Sequence, residues 1–219
     1  MIEFLTLVAV AIALTFIPVI NTPLKIIETF FHEFSHGLAA IVTFGKIHDI
    51  KINIDGSGVC TTSGGSRHLI LVSGYLGAAC FGYLIYYIAV QLQTNQAETF
   101  LYSMLIMFIF VILMWVRSIT TLLCMLMIIT IFYFPLKHEL YQYTSLYLKF
   151  IGIYVCLSAI KSPLNLIDGK DIGDGADLFK ITLIPEGVWI LGWVGFAAYC
   201  LYNIYLLNMG YLPFGFLHG

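Results

Sequence analysis

Apolar residues run almost unbroken along this chain. Polar breaks divide it into seven stretches, at roughly 2–20, 23–45, 68–91, 98–116, 118–134, 143–161 and 185–208. A helix needs about 17–25 apolar residues to cross a bilayer, so each stretch is a candidate span. The pattern predicts an all-α polytopic membrane protein of about six to seven transmembrane helices. Arg117-Ser118 argues for two spans within 98–134, joined by a tight connection. Thr22-Pro23 would open the second span, as a capping hydroxyl before a proline at the first helical position, and Gly45 would close it. The first stretch has no basic residues ahead of its apolar run and no small-residue cleavage site. It therefore reads as a retained helix rather than a signal peptide.

Two connections differ in texture. Over about 46–66, Ile47, Ile50, Ile52 and Ile54 mix with His48, Asp49, Lys51 and Asn53, and Asp55-Gly56 separates them from Val59-Cys60-Thr61-Thr62. An Asp-Gly turn between β-prone segments predicts a small β-hairpin between the second and third spans. The other connection, about 162–185, is rich in Gly and Asp. Seven spans would place the hairpin, the Arg117 turn, the 162–185 connection and the N-terminus on one side. That side would hold Lys46, Lys51, Arg67, Arg117, Lys161, Lys170 and Lys180, against Lys25, Lys137 and Lys149 on the other. Short cytoplasmic loops carry the excess of Lys and Arg. The expected arrangement is thus a multi-pass protein of the cytoplasmic (inner) membrane with its N-terminus, hairpin and aspartate-rich connection in the cytoplasm.

Composition agrees and narrows the options. Hydrophobic residues make up 60% of the chain and charged residues 10%, where a soluble domain carries about 25% charge. A net charge of −2 offers nothing to a nucleic acid. The length suits a single membrane-embedded domain over 1–219. The five cysteines are scattered without a C-x-x-C pair and read as small hydrophobes.

The chemistry concentrates in the second stretch. His32-Glu33-Phe34-Ser35-His36 has the pattern H-E-x-x-H. On a helix this puts two imidazoles at i and i+4 on one face with a carboxylate beside them, the geometry for holding Zn2+ and activating its water. Each ionisable group in a span costs about 2.5–3.5 kcal/mol on insertion scales, so such groups are functional candidates by default. His32 and His36 are the expected metal ligands and Glu33 the expected general base. Catalytic zinc takes a third protein ligand. His48, His68, His138 and His218 are candidates by chemistry, and the aspartates of 162–185 are better placed because they cluster against a membrane segment.

His32-Glu33-Phe34-Ser35-His36-Gly37 resembles the H-E-x-x-H-G signature of the site-2 protease group of intramembrane zinc metalloproteases. The chain is most similar to its compact, M50B-like branch. Gly56-Ser57-Gly58-Val59 resembles that branch's hairpin turn, Gly74-Tyr75-Leu76-Gly77 its Gly-Tyr-x-Gly stretch, and Arg117 the arginine between two middle spans. Gly173-Asp174-Gly175, with Thr182, Pro185, Trp189 and Trp193, looks like its Ser-Asp-Ala block and the spaced residues after it. The resemblance implies Asp174 as third ligand. The wider group instead takes that ligand from a Leu-Asp-Gly motif, which Leu166-Ile167-Asp168-Gly169 resembles, so Asp168 is the alternative and Asp177 a further one. Gly173 and Gly175 depart from the branch's Ser and Ala and would leave the backbone looser there.

The resemblance implies a zinc metalloendopeptidase that cleaves membrane-protein or membrane-peptide substrates within the lipid bilayer. The rival readings are a catalytically silent scaffold or metal-binding protein, and a zinc hydrolase of a non-peptide substrate. A carrier would spread ionisable residues along several spans, whereas here they gather at Glu28, His32, Glu33 and His36. Glu28 could orient His32 or pair with Lys25, and Asn165 could bind substrate or simply turn the chain. The hairpin could add a strand to an extended substrate or plug the cytoplasmic face. The Gly74–Gly77 stretch, with Gly82, reads as a helix-packing surface. Oligomeric state is not legible.

Overall fold

In the computed structural model, which describes residues 2–91, 94–167 and 172–211, every apolar stretch forms a helix. The elements are α1 (Ile2–Leu14), α2 (Pro18–Val42), β1 (Lys46–Ile52), β2 (Gly58–Ser63), α3 (Arg67–Gln91), α4 (Thr94–Trp115), α5 (Ile119–Lys137), α6 (Tyr141–Lys161), α7 (Asp174–Thr182) and α8 (Glu186–Asn208). A 3-10 turn, Pro163–Leu166, follows α6. The protein is all-α and polytopic, with one small β-hairpin.

Five helices, α3, α4, α5, α6 and α8, are each long and apolar enough to cross a bilayer. The first two apolar stretches qualify only as a pair, bent by 109°. With 13 residues, α1 reaches about 20 Å, short of the roughly 30 Å hydrocarbon layer. The seven apolar stretches therefore make five spans, or six counting the bent pair, at the lower end of the expected six to seven. The break also moves the start of α2. Pro18, not Pro23, occupies its first turn, where the fixed φ suits a helix and the missing N–H costs nothing. Pro23 lies inside the helix, and the Thr22 hydroxyl donates to the Pro18 carbonyl rather than capping an N-terminus.

Beyond the bend, α2 runs obliquely across one end of the bundle. Ser162, just past α6, donates to Glu28 at 3.2 Å. Ile70, near the start of α3, faces His36. Thr121, in the first turn of α5, bonds the hairpin that lies along α2. The polar residues from Glu28 to His36 thus sit in the half of the bundle nearer the hairpin, reaching from Ser162 to Gly74 and Gly77 of α3. The opposite face of α2 is aromatic. Phe30 meets Phe108 of α4 at 5.2 Å between ring centroids, and Phe31 stacks on Phe81 of α3 at 4.8 Å. Where α3 and α6 cross, Gly82 lies against Gly152 and Cys156, too close for any side chain, so small residues set the helix distance.

The strands β1 and β2 pair antiparallel from Lys46 opposite Ser63 to Ile52 opposite Gly58, with a bulge at His48. At the turn the Asp55 carboxylate accepts from the Ser57 amide and hydroxyl. Backbone groups at a sheet edge are costly near hydrocarbon. The buried Thr121 hydroxyl meets this at Ile52, accepting from its amide at 3.0 Å and donating to its carbonyl at 3.4 Å. The turn reaches back along α2, so that Lys25 donates to the Asp55 carbonyl and Thr29 to the Gly56 carbonyl. Lys25 therefore belongs to the hairpin end, contrary to the seven-span reading.

The chain start lies at the other end. Glu3 pairs with Lys149 in the first half of α6 at 2.8 Å, and Phe4 packs on Tyr205 near the end of α8. Glu3 and Phe4 thus lie at the end of the bundle away from the hairpin, where a single bent crossing by α1 and α2 would place them. Epitope tags at the two chain ends should answer from the same side of the membrane, opposite a label on Lys51→Cys in the hairpin. Tags answering from opposite sides would restore seven spans.

Candidate metal centre

The i, i+4 spacing on α2 turns both imidazoles toward α3 and α7. His32 Nε2 and His36 Nε2 are 3.0 Å apart, and Asp174 Oδ2 lies 3.2 Å from each. These three donor atoms could hold a metal ion. A tetrahedral ion bound at about 2.0–2.1 Å needs neighbouring ligand atoms roughly 3.3 Å apart, close to this triangle. Protonation fits as well. The Nδ1–H of His36 donates to the Ile70 carbonyl at 2.5 Å, which leaves Nε2 as a bare lone pair facing the other two atoms. With both Nε2 atoms deprotonated the three atoms are all acceptors, and a cation, metal ion or proton, is needed to hold them together. Burial pushes the Asp174 carboxyl up, but the imidazoles, when they carry that proton, outweigh it and hold this group below the usual carboxylate range.

Three local features set the triangle. First, α3 passes directly over the histidines at Gly74, where a Cβ would come within 2.5 Å of His36 Cε1 and 2.6 Å of His32 Cε1. Second, Gly173 takes φ +118° and ψ 174° just ahead of α7, a conformation closed to serine. The Gly173 departure from the branch thus permits a backbone conformation that serine would resist. At Gly175 the space of a Cβ is taken by the Glu186 carboxylate, 2.6 Å away. Third, Asp177 on α7 pairs with Arg67 at the start of α3 at 2.7 Å, and with Lys180 at 3.1 Å, which ties the Asp174 helix to α3.

Glu33 is buried beside the triangle. Its carboxylate faces the Cys60 backbone amide and fills the space a Cβ would need at Gly58, 2.5 Å from Oε1. A cavity of about 570 Å³ opens above these groups. The hairpin residues Gly56 to Cys60 form one wall and Asn165, Leu166, Ile172 and Gly173 another, with Glu28, Glu33 and Tyr75 between.

Of the residues singled out from sequence, His32, Glu33, His36 and Asp174 are thus brought together. Asp177 is engaged by Arg67 and Lys180. His48 bonds Ser63 on the hairpin, and His68 and His138 are exposed, away from the cluster. Asp168 and His218 lie outside the described residues. Glu28 accepts from Ser162, while Lys25 is turned to the hairpin, so the expected Lys25–Glu28 pairing is replaced. Arg117 donates to the Met114 and Val116 carbonyls at the end of α4. Sequence reasoning missed Gly74 and Tyr75 as parts of the site. Tyr75 packs on His32 at 4.3 Å between ring centroids and on Trp193 at 4.7 Å. Their Gly-Tyr-x-Gly signal was visible but reads equally as helix packing.

A family model described as Peptidase M50B-like matches residues 5–204, from α1 through most of α8. No curated protein and no solved structure matches the chain.

The two close glycine contacts separate metal binding from the position of Glu33. Gly74→Ala should push the imidazoles apart and lower the zinc content of purified protein at least tenfold. Gly58→Ala should displace Glu33 and leave zinc content within about twofold of wild type. Metal analysis of both variants checks this, and equal zinc contents would refute it.

Proposed function

We propose that the chain, which belongs to the Peptidase M50B-like family, is an intramembrane zinc metalloendopeptidase that hydrolyses peptide bonds in or near transmembrane segments. The observation that carries this reading is the acceptor triangle of His32, His36 and Asp174, with Glu33 beside it under one cavity. Zinc bound there would supply a Lewis acid and bring the pKa of its water to about 7. His32 and His36 would hold it through Nε2, the second fixed by the Ile70 carbonyl, and Asp174 would complete the set.

The remaining chemistry belongs to Glu33. As water attacks the scissile carbonyl carbon, the Glu33 carboxylate accepts a proton from it. It then returns the proton to the leaving amide nitrogen as the C–N bond breaks, so the carboxylate is regenerated. A helical substrate must first unwind over the cut, because its carbonyls are otherwise tied to the amides four residues on. The outer side of β2 borders the cavity, and an unwound segment could lie there as an added strand.

Orientation follows from charge. With Lys25 moved to the hairpin end, that end carries seven of the nine Lys and Arg among the described residues, against Lys137 and Lys149. We assign the hairpin and cavity to the cytoplasmic side of the cytoplasmic membrane and the N-terminus to the opposite side. Water then reaches the centre from the cytoplasm without crossing hydrocarbon. The partners are the bilayer and a membrane-protein or membrane-peptide substrate, and residues 1–219 act as one domain.

Purified protein should cleave a single-span substrate and stop when zinc is chelated. Glu33→Gln should keep wild-type zinc content and thermal stability while turnover falls about 10²–10⁴-fold, the worth of a positioned acid–base group. Full activity in this variant would sink the mechanism. Asp174→Asn should lose zinc, and unchanged metal content would return the third ligand to Asp168.

A further inference from the structure

We propose that Tyr75 is a catalytic residue. On the reading above, its phenol donates a hydrogen bond to the oxygen of the scissile carbonyl as negative charge builds there. Hydrolysis of an amide leaves charge on that oxygen in the transition state, and a preorganised donor in a water-poor site is worth about 10²–10³ in kcat. The cavity wall around the triangle is short of donors. His32, His36 and Asp174 present acceptor atoms, and Glu33 and Glu28 are carboxylates. The two cations that line the cavity are engaged, Lys25 with the Asp55 carbonyl and Arg67 with Asp177. Ser162 donates to Glu28.

Tyr75 is placed differently. Its ring meets the imidazole of His32 edge to face and packs at a tilt of 46° against Trp193. Trp193 is itself fixed by a hydrogen bond from its indole to the Val72 carbonyl at 3.2 Å. The ring borders the cavity, and the carboxylates of Asp174, Glu28 and Glu33 all lie within electrostatic reach of the hydroxyl. Among the described residues the hydroxyl makes no hydrogen bond, nor is it among the sealed, unpartnered buried atoms. A ring packed on His32 and Trp193 thus carries an uncommitted O–H on the cavity that the triangle borders. The side chain needs no rearrangement to donate, so little entropy is lost when it does.

Tyr75→Phe removes the oxygen and keeps the packed ring. Zinc content and KM for a single-span substrate should stay within about twofold of wild type, and kcat should fall about 10²-fold. Binding offers a readout independent of turnover. A phosphinic peptide, which mimics the tetrahedral anion, should bind the variant at least tenfold more weakly, while an uncleavable peptide isostere of the ground state binds both equally. Wild-type kcat and wild-type phosphinic affinity in Tyr75→Phe would reduce the ring to a packing platform and overturn the proposal. So would loss of zinc, since the hydroxyl would then act on the metal site itself. Failure of the protease reading is seen separately, as chelator-insensitive cleavage by wild type or full activity in Glu33→Gln.

Discussion

Three acceptor atoms, two imidazole nitrogens and a carboxylate oxygen, are held edge to edge in a place with little water, and the surrounding structure is arranged around that costly contact. Each element of it opposes drift apart. The backbone of α3 closes over the histidines at Gly74, the Ile70 carbonyl fixes one imidazole, and α7 is tied by Arg67 to the same helix. With all three groups deprotonated the contact is repulsive, and a metal ion or a proton among them would turn it attractive. The aromatic face of α2, with Phe30 and Phe31 against Phe108 and Phe81, anchors the helix from below so that its polar face stays aimed at the cavity.

The bilayer imposes the second constraint. Polar backbone and ionisable side chains must be satisfied by protein or brought to the water side. The bend between α1 and α2 does the latter, bringing the polar stretch of α2 into the half of the bundle nearer the hairpin. Thr121 does the former, using one hydroxyl to satisfy both backbone groups of Ile52 where the hairpin meets α5. A β-hairpin can then border a membrane-embedded site without exposing an open edge at Ile52 to lipid.

Much of this was legible in sequence, for reasons that differ by residue. The helices follow from apolar run length, and the hairpin from Asp55-Gly56 between β-prone strands. His32 and His36 are readable because helical periodicity alone puts them on one face. Asp174 is 138 residues beyond His36 in the chain, and no local pattern joins them. Only the family resemblance pointed to it, and the structure brings it to the histidines. The bend was missed because run length does not tell one long crossing from a broken one, and the span count on which sidedness rests changes with it. Gly173 in place of serine reads as loosening, and no local pattern gives the φ of +118° that it takes. Tyr75 and Gly74 escaped because their roles lie in which helix passes over which, a fact of packing rather than of spacing.

The tie between Arg67 and Asp177 lies where salt can reach it. Two of the three candidate ligands sit on a 25-residue helix packed into the core, but the third starts a helix of nine residues that is held to α3 through an ion pair whose arginine is 58% exposed. Exposed pairs of this kind contribute only about 0–1 kcal/mol and weaken with salt. The short helix is also held from within, because Leu178 is fully buried with Leu71, Ile190 and Trp193. Salt would therefore slacken only the outer tie of the Asp174 arm, while the apolar one keeps its place.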